Sequence, residues 1–198
     1  MNLWDLGIKH NTVKCYEQFP YSHCYCKEHY PFHLEDRRDT IRTVLELGVA
    51  KGGSLRMWRE YFPNANIYGI DNRDSFEDHG DDRIHFRQGE QQDVEFLHSV
   101  RIEEPSWDLI IDDGGHRAHN IQTSYETLWP FVSPGGIYAI EDVMNKHPRS
   151  IPVLEYFCDL IKLDFPKYKE PTVTGMKRVT FHTAGLIVIE KEDENENE

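Results

Sequence analysis

Short apolar runs alternating with longer amphipathic stretches set the rhythm of this 198-residue chain. Thr43–Leu47 (TVLEL), Asn66–Ile70 (NIYGI), Leu109–Ile111 and Ile137–Ile140 have the length and branching of buried parallel strands. Arg83–Arg87 (RIHFR) alternates and reads as an outer strand. Helices are predicted from the turn after Thr43–Leu47 through about Tyr61, with Leu55 and Trp58 inward, and from Asp93 to Val100, with Val94, Phe96 and Leu97 packing. Two more follow over Arg117–Phe131 and Ile151–Leu163, the latter with Leu154, Phe157, Cys158 and Ile161 on one face. Lys177–His182 and Leu186–Ile189, joined by Thr183-Ala184-Gly185, read as a hairpin. Strand–helix alternation closed by a hairpin predicts an α/β fold with a mostly parallel seven-stranded sheet and antiparallel C-terminal strands.

Chemistry concentrates between Trp107 and Asp142. The strand in WDLIIDDGGH stops at Asp112-Asp113, and the strand in SPGGIYAIED stops at Glu141-Asp142. A right-handed crossover between them puts both acidic pairs at the carboxyl edge of one sheet, where open α/β sheets bind ligands. Carboxylates crowded into one crevice repel unless a hard divalent cation or cationic ligand stands among them. His116 lies beside them and can carry a proton near neutral pH, with His119 as the alternate base. Upstream, Gly48 to Ser54 (GVAKGGS) forms a glycine-rich turn between first strand and first helix, which lets a ligand approach backbone amides. It is neither a P-loop nor a G-x-G-x-x-G turn. Asp71 ends the second strand, where an acid can accept ribose hydroxyls. Gln88-Gly89-Glu90-Gln91 follows the third and could bracket an adenine ring.

The length suits one domain, and a net charge of -13 argues against nucleic acid. No membrane-length apolar segment or signal-like start is present in the sequence, so a cytoplasmic protein is expected. Residues 1–39, rich in Tyr, His and Phe, read as an extension packed on the domain or a lid over the crevice; 40–190 as the main domain; and 191–198 as an acidic disordered tail. Cys24-Tyr25-Cys26 lies among His23, His29 and His33, which invites zinc, but the spacing matches no standard site and reduced thiols are expected. Tyr21 and Tyr30 carry no individually assignable role, and Lys146 and His147 read equally as substrate contacts or as solvated loop residues.

These blocks (LELGVAKGGSLRMW, YFPNANIYGID, IDDGGH and SPGGIYAIEDV) resemble the class I S-adenosylmethionine (SAM) methyltransferases, most closely the metal-dependent O-methyltransferases of macrolide and polyketide sugars. The resemblance covers roughly Thr43 to Val143 and implies a Rossmann-like methyltransferase fold. It further implies that Glu46, Gly48, Ala50 and Ser54 line the methionine side of SAM, that Asp71 takes the ribose and Gln88, Gly89, Glu90 and Gln91 the adenine, and that Asp112 closes the pocket. Asp113, Glu141 and Asp142 match the family's Mg²⁺ ligands and His116 its base. The acceptor implied is a small molecule bearing a sugar or vicinal diol, with O- or N-methylation and a homo-oligomer both open. An NAD-type oxidoreductase and a non-catalytic SAM or metal-binding module are the competing readings.

Overall fold

A computed structural model describes residues 1–15, 25–143, 151–164 and 174–193, without the side chains of 101–103 and 164. Tyr21, His23, Cys24, Lys146, His147 and most of the acidic tail lie outside the described residues. The strands are β1 (Thr43–Leu47), β2 (Asn66–Asp71), β3 (Ile84–Gln88), β4 (Trp107–Asp112), β5 (Val132–Ile140), β6 (Met176–His182) and β7 (Leu186–Lys191). They form one sheet in the order β3-β2-β1-β4-β5-β7-β6, parallel through β5, with β7 antiparallel to both β5 and β6. Leu47 pairs with both Ile70 and Asp112, and Asp112 pairs with Ile140. Register therefore carries the carboxyl ends of four strands to one edge, since each crossover returns the chain to start the next strand at the same side.

The helices are α1 (Leu3–Lys9), α2 (Tyr30–Leu34), α3 (Gly53–Tyr61), α4 (Val94–Glu103), α5 (Ala118–Leu128) and α6 (Ile151–Asp164). Alternation along the strands divides the core into two layers. Val44, Ile67, Leu109, Ile111 and Ala139 pack under α3 and the N-terminal segment, whereas Leu45, Leu47, Ile110, Tyr138 and Ile140 pack under α4, α5 and α6.

Three details differ from the sequence reading. Val94 is exposed at 44%, because Asp93 caps α4 by accepting the Phe96 N–H, which leaves Val94 in the first turn outside the packed face. Cys158 is exposed, and Val153, four residues before the buried Phe157, takes its place on the inner face of α6. Residues 1–39 are also more than a covering. Leu3, Leu6, Cys15, Tyr25, Cys26, Tyr30 and Leu34 are all buried in the α3 layer. Short turns, among them a π-helical one at Tyr25–His29, conceal that burial from a search for helical period.

Candidate active site

At the carboxyl edge lies a crevice of about 760 Å³, lined by the β1–α3 turn, the ends of β2 and β4, the loops after β3 and β5, and residues 11–14. Gly48 opens the turn at φ +85°, and a Cβ there would stand 2.2 Å from the Asp113 carbonyl oxygen, so only glycine fits between the ends of β1 and β4. The four non-glycine residues at positive φ among those described, Asn11, Ala50, His116 and Asp142, all line this crevice. Such strain persists only where surrounding structure fixes it, and it concentrates at functional sites.

Asp71 lines the crevice and also fastens it. Its Oδ2 accepts the N–H groups of Val49 and Ala50 at 3.1 and 2.9 Å, and Oδ1 accepts that of Arg73 at 2.9 Å. Gly48, Ala50, Ser54, Gly89, Glu90 and Gln91 line the crevice as well, whereas Gln88 is exposed beside it, its amide donating to the Asn72 carbonyl. Asp112 lies beneath, 1% exposed, accepting from Gln91 Nε2 at 2.9 Å, Ser124 Oγ and Tyr138 OH. Gln91 in turn accepts the Gly115 N–H, so Asp112 shapes the crevice through its neighbours. Burial raises the Asp112 carboxyl above its ordinary value, against these hydrogen bonds.

The remaining acids divide into an outer and an inner group. In the outer group, His116 Nε2 lies 3.6 Å from Asp142 Oδ2 and 4.0 Å from Asp113 Oδ1. Ligand atoms of Asp113, His116 and Asp142 all fall within 4.8 Å of one another. Tyr25 OH accepts the Asp142 N–H and donates to its Oδ1, both at 3.1 Å. In the inner group, Glu46 and Glu141 are buried around Lys14, whose Nζ stands 3.0 Å from Glu46, 2.9 Å from Glu141 and 2.6 Å from Asp113. Tyr30 OH donates to the other oxygen of Glu141. Burial alone would discharge the Lys14 ammonium, but the carboxylates of Asp113, Glu141 and Glu46 outweigh it and hold it charged. Burial likewise raises Glu46 and Glu141, because one ammonium shared by three carboxylates compensates them only in part. Neither oxygen of Glu46 receives a well-aligned hydrogen bond, despite the 3.0 Å ion pair.

The sequence-derived set thus converges on one edge, with Glu46, Asp112 and Glu141 set behind the wall and Gln88 beside it. Lys14, Tyr25 and Tyr30 were missed as site residues. Lys14 sits in a polar stretch, and nothing short-range marks a lysine whose partners lie 99 and 127 residues away.

A hard divalent ion suits the carboxylate oxygens of this cluster and its excess of negative charge. The crevice beside it, with free access to the glycine turn, has room for a nucleoside-sized ligand.

Comparison with known proteins agrees with this architecture. Residues 45–143 match the family described as "Methyltransferase domain". The chain is 42% identical over 127 residues to mycinamicin VI 2''-O-methyltransferase of Micromonospora griseorubida, covering 60% of this chain and 31% of that protein. It is 45% identical over 127 residues to a tetracenomycin rhamnosyl 3'-O-methyltransferase of Streptomyces olivaceus, covering 60% and 32%. The solved structure of the MycE methyltransferase of the mycinamycin pathway, in complex with Mg and SAH, superposes with a TM-score of 0.80 at 31% identity, covering 99% of this chain and 56% of that one. The chain spans about a third of the length of the curated relatives it matches. With half of its residues inside the family match, the chain belongs to the methyltransferase-domain family.

Proposed function

We propose that the chain carries a SAM- and Mg²⁺-dependent O-methyltransferase activity directed at a hydroxyl of a sugar or glycosylated small molecule. The observation that carries this reading is the convergence of Asp113, His116 and Asp142, two of them on left-handed backbone, at the wall of the crevice that holds the glycine turn. Relatives named as sugar O-methyltransferases, and a structural neighbour titled as holding Mg and SAH, support the choice of cofactors and acceptor.

A Mg²⁺ ion, when bound, supplies a Lewis acid that acidifies a coordinated hydroxyl. Asp113 and Asp142, which line the crevice, would hold it, with Glu141 directly behind them. His116, 40% exposed on its side chain, reaches into the crevice and serves as the base that takes the hydroxyl proton. Asp142 Oδ2, 3.6 Å from Nε2, orients the ring. The backbone amides of the glycine turn, Asp71 and residues 89–91 bind and orient SAM, and transfer rests on this positioning because the sulfonium loses its charge as the methyl moves. Substrates with adjacent hydroxyls suit the site, since two oxygens can chelate one ion.

Calorimetric titration of SAM with and without Mg²⁺, on wild type and Asp113→Ala, tests the reading. SAM binding to both proteins, with a Mg²⁺ signal in wild type alone, is expected. Absence of SAM binding to wild type, or NADH binding in its place, refutes it.

A further inference from the structure

Lys14 is the one buried cation of the acid cluster among the described residues. Its side chain is 1% exposed, and its Nζ contacts Glu46, Asp113 and Glu141 at 3.0, 2.6 and 2.9 Å. It is not a strand or loop residue of the sheet. It comes from the short 3₁₀ turn Val13–Cys15, anchored by Cys15, which is 1% exposed and packs in the α3 layer. Three carboxylates (Glu46, Asp113 and Glu141) face this one ammonium, and Asp113 is shared with the outer group, where it meets His116 and Asp142. On the outer side, ligand atoms of Asp113, His116 and Asp142 lie within 4.8 Å of one another.

We propose that Lys14 is a fixed internal cation that sets how tightly the acid cluster holds its divalent ion. It holds the inner carboxylates, Glu46 and Glu141, in place without a metal, so the ion sees a cluster already relieved of one negative charge and exchanges rather than becoming a permanent structural part. The proposal rests on the reading of this cluster as a divalent-ion site. Lys14 is a positioning and affinity-setting residue, not a proton carrier. A unit charge about 6 Å from a divalent ion changes its affinity about tenfold even at the dielectric constant of water, and more inside a protein. Without Lys14, the inner acids would demand a cation themselves.

The test is titration of the full chain with Mn²⁺ alone, the free ion followed by electron paramagnetic resonance. Lys14→Gln is expected to bind Mn²⁺ at least about tenfold more tightly than wild type, and its melting temperature should become more dependent on Mn²⁺. Lys14→Arg, which keeps the charge, should restore wild-type affinity. Glu46→Gln keeps Lys14 and removes one acid, so it should weaken Mn²⁺ binding by a similar factor. If Lys14→Gln does not fold, the double variant Lys14→Gln/Glu46→Gln, which removes both charges of the buried pair, decides. Mn²⁺ binding about tenfold tighter than in Glu46→Gln alone supports the role of Lys14, and binding equal to that of Glu46→Gln overturns it. Mn²⁺ binding lost in Asp113→Asn but unchanged in the folded Lys14 and Glu46 variants overturns the role of Lys14 and leaves the metal site standing. Wild type and Lys14→Gln both failing to bind Mn²⁺ overturns the metal site itself.

Discussion

Replacing Gly48 by alanine tests whether the junction of β1 and β4 is as closely fitted as the distances imply. The added methyl would meet Asp113 O at 2.2 Å, Asp113 C at 2.7 Å and Gly114 Cα at 2.8 Å, all backbone atoms that no side-chain rotation can move aside. The turn cannot shift freely, because Gly48 donates its N–H to Ile70 O at 2.7 Å and Asp113 donates to Leu47 O at 2.9 Å. Holding alanine in the left-handed region costs roughly 1–2 kcal/mol, and overpacking a fitted site adds typically 1–3 kcal/mol. The expected loss is about 3 kcal/mol, which for a domain of this size lowers the melting temperature by roughly 6–12 °C. Gly80 provides the control. It too has positive φ, at +71°, but a Cβ there meets nothing within 4 Å, so Gly80→Ala should lose only the conformational part, about 1 kcal/mol. Thermal and urea unfolding of both variants, followed by circular dichroism, measures the difference. Equal losses in the two variants would refute the close approach of β1 and β4 as the reason for glycine. The Gly48 variant should also bind SAM and Mn²⁺ more weakly, because Asp113 moves with its carbonyl.

Other outcomes can be measured alongside. Asp71→Ala frees three amides that its carboxylate now accepts. Hydrogen bonds to a charged group are worth roughly 1.5–3 kcal/mol each, and water from the crevice can satisfy part of what is freed. An unfolding free energy lower by at least about 3 kcal/mol, read from urea unfolding, and weaker SAM binding are expected, and unchanged SAM affinity would count against Asp71 as the organiser of the turn. Phe157→Ala removes a fully buried ring of α6 and should cost about 3–5 kcal/mol; a loss below about 1 kcal/mol would mean α6 is not packed as described. His182 is held down at about 4 by burial and by its neighbours His29 and His33. Burial likewise lowers His29 and His33, the latter flanked by Glu190, Arg37 and Arg178. The unfolded chain therefore takes up protons first, so stability should fall as pH drops from about 6.5 towards 4. Urea midpoints at neutral and mildly acidic pH should converge in His182→Asn, and an unaltered pH slope in that variant would exclude the cluster as its source.

The sheet was legible because its signals are local. Leu109–Ile111 and Ile137–Ile140 are uninterrupted apolar runs and Val44–Leu47 is broken only by Glu46, and the acids that end the first two need no tertiary information to be noticed. Asp113, His116 and Asp142 follow from topology alone, since parallel neighbours must end at one edge. What could not be read was the division of labour among the acids. Asp112 and Asp113 are adjacent, yet strand alternation sends one down to Ser124 and Tyr138 and the other into the crevice. Glu141 and Asp142 separate in the same way, one meeting Lys14 and Tyr30, the other Tyr25. Residues 1–39 were illegible for another reason. Their burial is imposed by packing of Tyr25, Tyr30 and Leu34 on α3, and turns of three to seven residues carry too little period to announce it.

The ion pair between Lys14 and the ends of β4 and β5 also bears on the order in which the chain assembles. Lys14 precedes its partners Asp113 and Glu141 by 99 and 127 positions. Closing loops of that length carries an entropic cost, and such contacts are favoured once the sheet between them has formed. Loop-closure entropy thus favours docking of the segment around Lys14 after the sheet has formed. With that segment undocked, the carboxylates would lack their counter-charge and, given the role proposed for Lys14, would hold a divalent ion more tightly than the finished domain does, so docking of Lys14 would loosen the ion rather than admit it.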